Sequence, residues 1–138
     1  GRALVAGGAS VVVQVQHRRA EALYINDGVY GSLADAGALS FRYPVRLVRP
    51  EGEAASDETV GFTLYGPTCD SADVMRGPFV LPANIREGDW IEIGQLGAYG
   101  ACMRTAFNGF DQARIVEVSD RPMLETAGYG DESVSIAA

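Results

Sequence analysis

The sequence contains no lysine, since all 11 of its basic residues are arginine. It is also poor in soft metal ligands: His17 is the only histidine, and Cys69 and Cys102 are the only two cysteines. No close pair of cysteine or histidine ligands occurs, so we expect no zinc or other metal site. Without lysine, the chain itself cannot supply the amine that Schiff-base chemistry requires.

Long apolar runs and a signal peptide are lacking too. No segment approaches the roughly 20 apolar residues that span a bilayer, and no charged start leads into an apolar stretch. We therefore expect no membrane partner and a cytoplasmic location. In a reducing compartment Cys69 and Cys102 are expected as free thiols, with a disulfide between them as the alternative.

The charge balance is acidic. The net charge is −7 and the isoelectric point about 4.6, while the arginines are scattered along the chain. DNA or RNA binding relies on clustered cations that neutralise phosphates, so nucleic-acid partners are not expected. An acidic surface favours solubility and, weakly, cationic small molecules.

Composition favours a single all-β domain. A chain of 138 residues can bury a core, and 47% hydrophobic residues with 17 glycines suggest short strands joined by tight turns. Polar residues 50–58 predict an exposed loop, and residues 119–138 predict a mobile tail with 134–136 as an alternative edge strand. Strands are predicted at residues 11–17, 22–25, 45–48, 60–65, 90–93, 102–107 and 114–118.

The loop at residues 66–70 (GPTCD) places a thiol beside a carboxylate. A thiol with a pKa near 8.5 is mostly protonated at neutral pH and can donate a proton, whereas the carboxylate is ionised and can hold an ammonium group. As structural alternatives, Cys69 is a small buried apolar residue and Asp70 caps a short helix that starts near Ala72.

Residues 65–73 (YGPTCDSAD) resemble the signature of the ornithine decarboxylase family, the fold-type III enzymes that depend on pyridoxal phosphate (PLP). Four further segments match in order, so the resemblance spans roughly residues 1–118. They are Gly1-Arg2, at the end of a Glu-Pro-Gly-Arg motif; residues 24–32 (YINDGVYGS); residues 88–90 (GDW) leading to 97–99 (GAY); and residues 107–110 (FNGF).

The resemblance implies an all-β, Greek-key-like barrel or sandwich, the alanine-racemase-like C-terminal domain of these decarboxylases. Residues 1–138 would then be the C-terminal β domain, and the N-terminal (β/α)8 barrel with its PLP-binding lysine would be missing from this sequence. In the family each active site lies between two subunits, which implies a homodimer.

The resemblance also implies roles at the substrate. Cys69 would return a proton to the substrate α carbon after carbon dioxide leaves. Asp70 would bind the distal ammonium of a diamino acid, and Tyr30 would lie close to the site as a second substrate-binding residue, with an ordinary core position as its alternative.

Around the cofactor, Gly1, Arg2 and Tyr99 would hold the phosphate, and Phe107 would lie near the ring. Gly97 would bend the backbone at the dimer interface. The alternatives are a solvated terminal Arg2 and ordinary core positions for Tyr99 and Phe107.

An aspartate at position 70, where diaminopimelate decarboxylases carry glutamate, implies L-ornithine as substrate and putrescine as product, the entry to polyamine biosynthesis. The family's Tyr-Asp pair is replaced here by Ala38-Leu39-Ser40, and Asp35 is the nearest acid. Lysine or another diamino acid is therefore an alternative substrate. A non-catalytic, antizyme-inhibitor-like binding protein and a stand-alone β-domain interaction module are alternatives of another class.

Overall fold

The computed structural model describes residues 1–123 and consists mainly of β-strands. A single helical turn, α1 (Arg2–Val5), precedes the sheet, and 3₁₀ turns lie at Ala6–Gly8, Ala34–Ala36 and Phe107–Gly109. The strands are β1 (Val11–Arg19), β2 (Ala22–Ile25), β3 (Val45–Val48), β4 (Thr59–Tyr65), β5 (Val74–Pro82) and β6 (Trp90–Ile93).

The strands form a six-stranded sheet in the order β3-β6-β1-β2-β4-β5. Neighbouring strands run antiparallel except for β2 and β4, which are parallel, with Leu23 opposite Leu64 and Tyr24 opposite Tyr65. The sheet curls until its two edge strands, β3 and β5, contact each other. The result is a half-barrel, and the prediction of an all-β fold is confirmed.

Alternation along the strands fills the inside of this half-barrel. In β1, Val13 and Val15 are 1% exposed, while Val12, which precedes them, is 52% exposed. This is the period of two that a strand with one buried face shows. The remaining inward side chains come from every strand and include Leu23, Ile25, Val45, Phe62, Leu64, Met75, Leu81, Ile91 and Ile93. Because the interior is packed with apolar groups, we expect side chains that could bind a ligand or transfer a proton to lie in the loops.

Five of the predicted strands are confirmed within a few residues: β1, β2, β3, β4 and β6. Strand β5 escaped prediction because Gly77-Pro78 interrupts its pattern. Proline removes a backbone donor, yet an edge strand tolerates it, and β5 is at the edge of the sheet. Residues 50–58 form the expected exposed loop.

Two predicted strands are wrong. Residues 102–107 form turns that run into the 3₁₀ turn at Phe107–Gly109, and residues 114–118 follow the surface without pairing. Apolar residues suggested a strand there, but Ile115 is 86% exposed, so the segment has no core to cover. From residue 124 on, the predicted tail and the alternative strand at 134–136 lie outside the described residues. Within residues 1–123, no helix is long and apolar enough to cross a membrane.

A buried ion pair links β3 to the turn that precedes β6. Arg49 donates two hydrogen bonds to Asp89, Nε to Oδ1 at 2.8 Å and Nη2 to Oδ2 at 2.5 Å. The two side chains are 7% and 6% exposed. Arg49 also donates to the carbonyl oxygens of Glu53 and Asn84, which ties the loop after β3 to the sheet.

We expect Arg49→Ala to lower the free energy of unfolding by roughly 3–5 kcal/mol, because it leaves the Asp89 carboxylate buried without its partner. Arg86→Ala is the matched control: its pair with Glu53, at 3.4 Å, is exposed on both sides, and its loss should cost about 1 kcal/mol or less. Urea denaturation measures both. Equal losses of unfolding free energy in the two variants would show that the buried pair stabilises the fold no more than the exposed pair does.

Candidate functional site

Two loops meet at one end of the half-barrel. Because β2 and β4 are parallel neighbours, the segments that follow them, residues 26–32 and 66–73, leave the sheet at the same end. The Tyr30 hydroxyl donates a hydrogen bond to Asp70 Oδ2 at 2.9 Å. The two residues predicted to bind substrate, 40 positions apart in sequence, are therefore in direct contact.

Asp70 itself organises a tight turn. Its Oδ1 accepts a hydrogen bond from the amide of Ala72 at 2.8 Å, and its carbonyl oxygen accepts one from the amide of Asp73 at 2.9 Å. The helix that we considered near Ala72 does not form, since β5 begins at Val74. One carboxylate oxygen shapes the turn and the other faces Tyr30, so a local and a binding role are compatible in one side chain.

Cys69 is exposed, so the alternative of a small buried apolar residue is wrong. Its backbone is left-handed, with φ of 56°, a conformation that costs a non-glycine residue on the order of 1–3 kcal/mol. Thr68 before it is buried, so this bend turns the chain outward and presents the thiol to solvent. Cys102 is also exposed, and both cysteines are free thiols as predicted.

A third segment, residues 105–109, closes against the two loops. The amide of Thr105 donates to the carbonyl oxygen of Tyr30 at 2.8 Å, and Asn108 Nδ2 donates to that of Thr68 at 2.8 Å. The Phe107 ring lies 4.3 Å from the Tyr30 ring, centroid to centroid. Phe107 is 39% exposed, so its ring lies beside Tyr30 at the surface and is not part of the core.

Arg2 is held by aromatic rings and one acid. Its guanidinium is 2.7 Å from Asp35 Oδ2, and it lies over the rings of Phe41 at 4.3 Å and Tyr99 at 5.2 Å. Burial alone would lower its pKa, but the hydrogen bond and charge of Asp35 raise it. Arg2 is therefore not a solvated terminal residue, and it is near Tyr99 as a shared phosphate role requires.

This pairing also decides what Asp35 can do. In this arrangement its carboxylate is paired with Arg2, so we do not expect it to replace the carboxylate of the Tyr-Asp pair that the family carries. Asp70 is then the acid beside Tyr30 that is open to a ligand, since each of its oxygens accepts one hydrogen bond and has room for another.

Gly97 lies where the chain passes over the N-terminal turns, and Gly1 is exposed at the chain end. The amide of Gly97 donates to the carbonyl oxygen of Ala6 at 3.0 Å. A Cβ at position 97 would come within 2.0 Å of the Val5 carbonyl oxygen. Glycine is therefore needed for a close approach within the chain; its dimer role stays a prediction.

Sequence reasoning missed the residues that fix the Tyr30 loop. Arg104 Nη1 donates to Asp27 Oδ2 at 3.0 Å and to Ser32 Oγ at 2.6 Å. Asp27 Oδ1 accepts hydrogen bonds from the amides of Gly28 and Ser32. In the sequence, Asp27 is typical of a turn, and nothing there indicates its contact with Arg104. Arg104 lies in a segment that the sequence predicts as a strand, so its role in the loop could not be predicted.

Electrostatics keeps Asp70 charged. The backbone amide of Ala72 and then the Tyr30 hydroxyl hold the pKa of Asp70 below its usual range. The same hydrogen bond raises the pKa of Tyr30. At neutral pH the pair is thus an anion beside a protonated phenol, which suits a cationic ligand. Among residues 1–123, no group of three or more metal-ligating side chains is placed to hold a metal ion.

Comparison with known proteins identifies the fold. Residues 8–97 match the family described as pyridoxal-dependent decarboxylase, C-terminal sheet domain. The chain belongs to this family. It is 38% identical over 99 residues to ornithine decarboxylase of Schizosaccharomyces pombe, covering 67% of this chain and 23% of that protein.

Solved decarboxylase structures agree. The arginine decarboxylase of Paramecium bursaria Chlorella virus bound to agmatine has a TM-score of 0.67 and 28% identity, over 81% of this chain and 31% of that one. The lysine/ornithine decarboxylase of Vibrio vulnificus complexed with putrescine has a TM-score of 0.64 and 32% identity, over 82% and 30%. The chain thus has the C-terminal sheet fold of the fold-type III decarboxylases and spans about a quarter to a third of their length.

The residues of this decarboxylase domain fit one part of PLP. Arg2 supplies a cation and Tyr99 a phenol hydroxyl within one cluster, and a phosphate dianion needs such donors. They do not fit the cofactor's aldehyde, because the sequence holds no lysine. Arg2 and Tyr99 would hold the phosphate, and no side chain of this sequence could supply the amine.

We expect Tyr30→Phe to raise the pKa of Asp70 toward its ordinary value of about 3.9, because it removes one of the two hydrogen bonds that lower it. A depressed carboxyl pKa stabilises the fold above the ordinary pKa, and that stabilisation disappears as pH falls through the lowered value. Carboxyl ¹³C NMR titration measures the change, with Tyr99→Phe as control. An unchanged pKa in Tyr30→Phe would contradict the assigned contact.

Proposed function

We propose that this chain forms the C-terminal part of a decarboxylase acting on a small diamino acid, with L-ornithine as substrate and putrescine as product. The observation that carries the proposal is the ionised Asp70 beside the Tyr30 hydroxyl, next to an exposed thiol at Cys69. An anion with a free lone pair suits a terminal ammonium, and a protonated thiol suits proton delivery.

The comparisons support the class of substrate. The relatives with matching sequence or fold are named for ornithine, lysine and arginine, each of which carries a cationic group at the end of its side chain. Asp70 would bind that group through the lone pairs that Ala72 and Tyr30 leave open. Phe107, whose ring lies tilted against that of Tyr30, would cover the apolar carbons between the two ends of the substrate.

In the proposed reaction PLP supplies an electron sink for the pair of electrons that stays on the α carbon when carbon dioxide leaves. Cys69 would then give its S–H proton to that carbon, which makes the amine and leaves a thiolate that regains a proton from water. Arg2 and Tyr99 would hold the phosphate. The lysine amine would come from a barrel domain, and we propose a homodimer in which the two domains of different subunits meet.

Carbon dioxide release by the full natural protein, supplied with PLP and in turn L-ornithine, L-lysine and meso-diaminopimelate, tests this function. We expect the fastest release from ornithine, because several relatives with matching sequence are named ornithine decarboxylases. Fastest release from lysine would change the proposed substrate from L-ornithine to L-lysine. No release from any of them would refute the enzyme and favour a protein-binding role.

Cys69→Ser should lower kcat for putrescine formation by about 100-fold or more with little change in KM, because general-acid catalysis contributes on the order of 10²–10⁴ and a serine hydroxyl is a far weaker acid. Cys102→Ser is the matched control, since Cys102 is equally a free, exposed thiol. Equal rates in the two variants would exclude Cys69 as the proton donor.

A further inference from the structure

A buried carboxylate joins the two loops of the site. Asp73 is 3% exposed. Its Oδ1 accepts a hydrogen bond from the amide of Val29 at 2.9 Å. Its Oδ2 accepts two from Thr68, from the amide at 3.1 Å and from the hydroxyl at 2.6 Å. One side chain thus bonds to the residue before Tyr30 and to the residue before Cys69.

Two glycines make the space that this carboxylate occupies. A Cβ at Gly28 would come within 2.1 Å of Asp73 Oδ1, and one at Gly66 within 2.2 Å of both carboxylate oxygens. The backbone reinforces the arrangement, since the amide of Gly66 donates to the carbonyl oxygen of Asp73 at 2.9 Å. The Asp73 carboxylate therefore fits only because residues 28 and 66 are glycines, and a side chain at either position would collide with it.

The contacts of Asp73 differ from those of the other buried acid at this end of the sheet. Asp27 accepts hydrogen bonds from Gly28 and Ser32 within its own loop and from Arg104. Asp73 instead bridges residues 26–32 and 66–73, which are joined to each other at the surface by the hydrogen bond between Tyr30 and Asp70. A buried carboxylate that loses its donors is costly, so the bridge resists separation of the loops.

We propose that Asp73 is a positioning residue: by bridging Val29 and Thr68 it sets the spacing between the Tyr30 hydroxyl and the Asp70 carboxylate, and so the recognition of the substrate's distal ammonium. The inference rests on the proposed function for its substrate. It assigns no proton transfer to Asp73, which is buried beneath the loops.

The test compares Asp73→Asn with Asp89→Asn in the full natural protein. Both remove a buried negative charge, but Asp89 is bound to Arg49 and to the amide of Arg86, away from the two loops. The kinetic readout is kcat/KM for ornithine divided by that for norvaline, which has the same chain without the ammonium. We expect Asp73→Asn to lower this ratio about tenfold or more and Asp89→Asn to leave it unchanged.

Substitution of Thr68 is a milder change, and it tests the same bridge if Asp73→Asn fails to fold. Thr68→Val removes one of the three donors to Asp73, whereas Thr68→Ser keeps the hydroxyl. We expect the ratio to fall in the valine variant and to be retained in the serine variant. If both variants match the wild type, or if Asp73→Asn folds with an unchanged ratio, the positioning role is refuted.

A second readout needs no turnover. Asp73→Asn should raise the pKa of Asp70 in a carboxyl ¹³C titration, as Tyr30→Phe does, because the Tyr30 hydroxyl no longer reaches Asp70. If the wild type releases no carbon dioxide yet this pKa rises, the positioning role stands and only the proposed substrate fails. If it does not rise, the bridge is structural only.

Discussion

The parallel pairing of β2 with β4 is the constraint on which the site depends. Within a sheet that is otherwise antiparallel, this pair sends the loops that follow β2 and β4 out of the same end in matching register, with Tyr24 opposite Tyr65. Tyr30 and Asp70 follow those partners at similar distances along the chain, so both side chains reach the same point. Had the two strands been antiparallel, their following loops would lie at opposite ends of the sheet.

Buried acids serve the fold in three different ways. Asp89 is neutralised by Arg49 in a two-pronged pair, Asp27 combines backbone amides with Arg104, and Asp73 takes amide and hydroxyl donors. A buried charge must be satisfied in each case. The arginine partners, Arg49 and Arg104, each join two segments outside the strands, whereas the donors to Asp73 come from the two loops of the site and fix those loops to each other.

The surroundings of Arg2 illustrate how one contact limits several functions. The cation lies over the rings of Phe41 and Tyr99 and faces Asp35, which places the two side chains that we propose for phosphate binding, Arg2 and Tyr99, close together. The same contact pairs Asp35 with Arg2 and leaves Asp70 as the carboxylate that contacts Tyr30. In the function proposed above, binding of the distal ammonium would then depend on how precisely Asp70 is held.

The sequence by itself determined the all-β class, five of the strands and the family, because alternation and the 65–73 segment are local signals. It could not reveal β5, since Gly77-Pro78 is tolerated only once the strand is known to lie at an edge. It also misplaced residues 102–107, where Thr105 and Phe107 contact Tyr30 and no strand forms. The contact of Tyr30 with Asp70, the bridge at Asp73 and the pairing of Arg2 with Asp35 were decided by tertiary structure alone. Tyr30 with Asp70, Val29 with Asp73, and Arg2 with Asp35 are each more than thirty positions apart in the sequence. The Asp73 carboxylate also needs the space that two glycines leave. Such contacts exist only after the sheet has formed and curled.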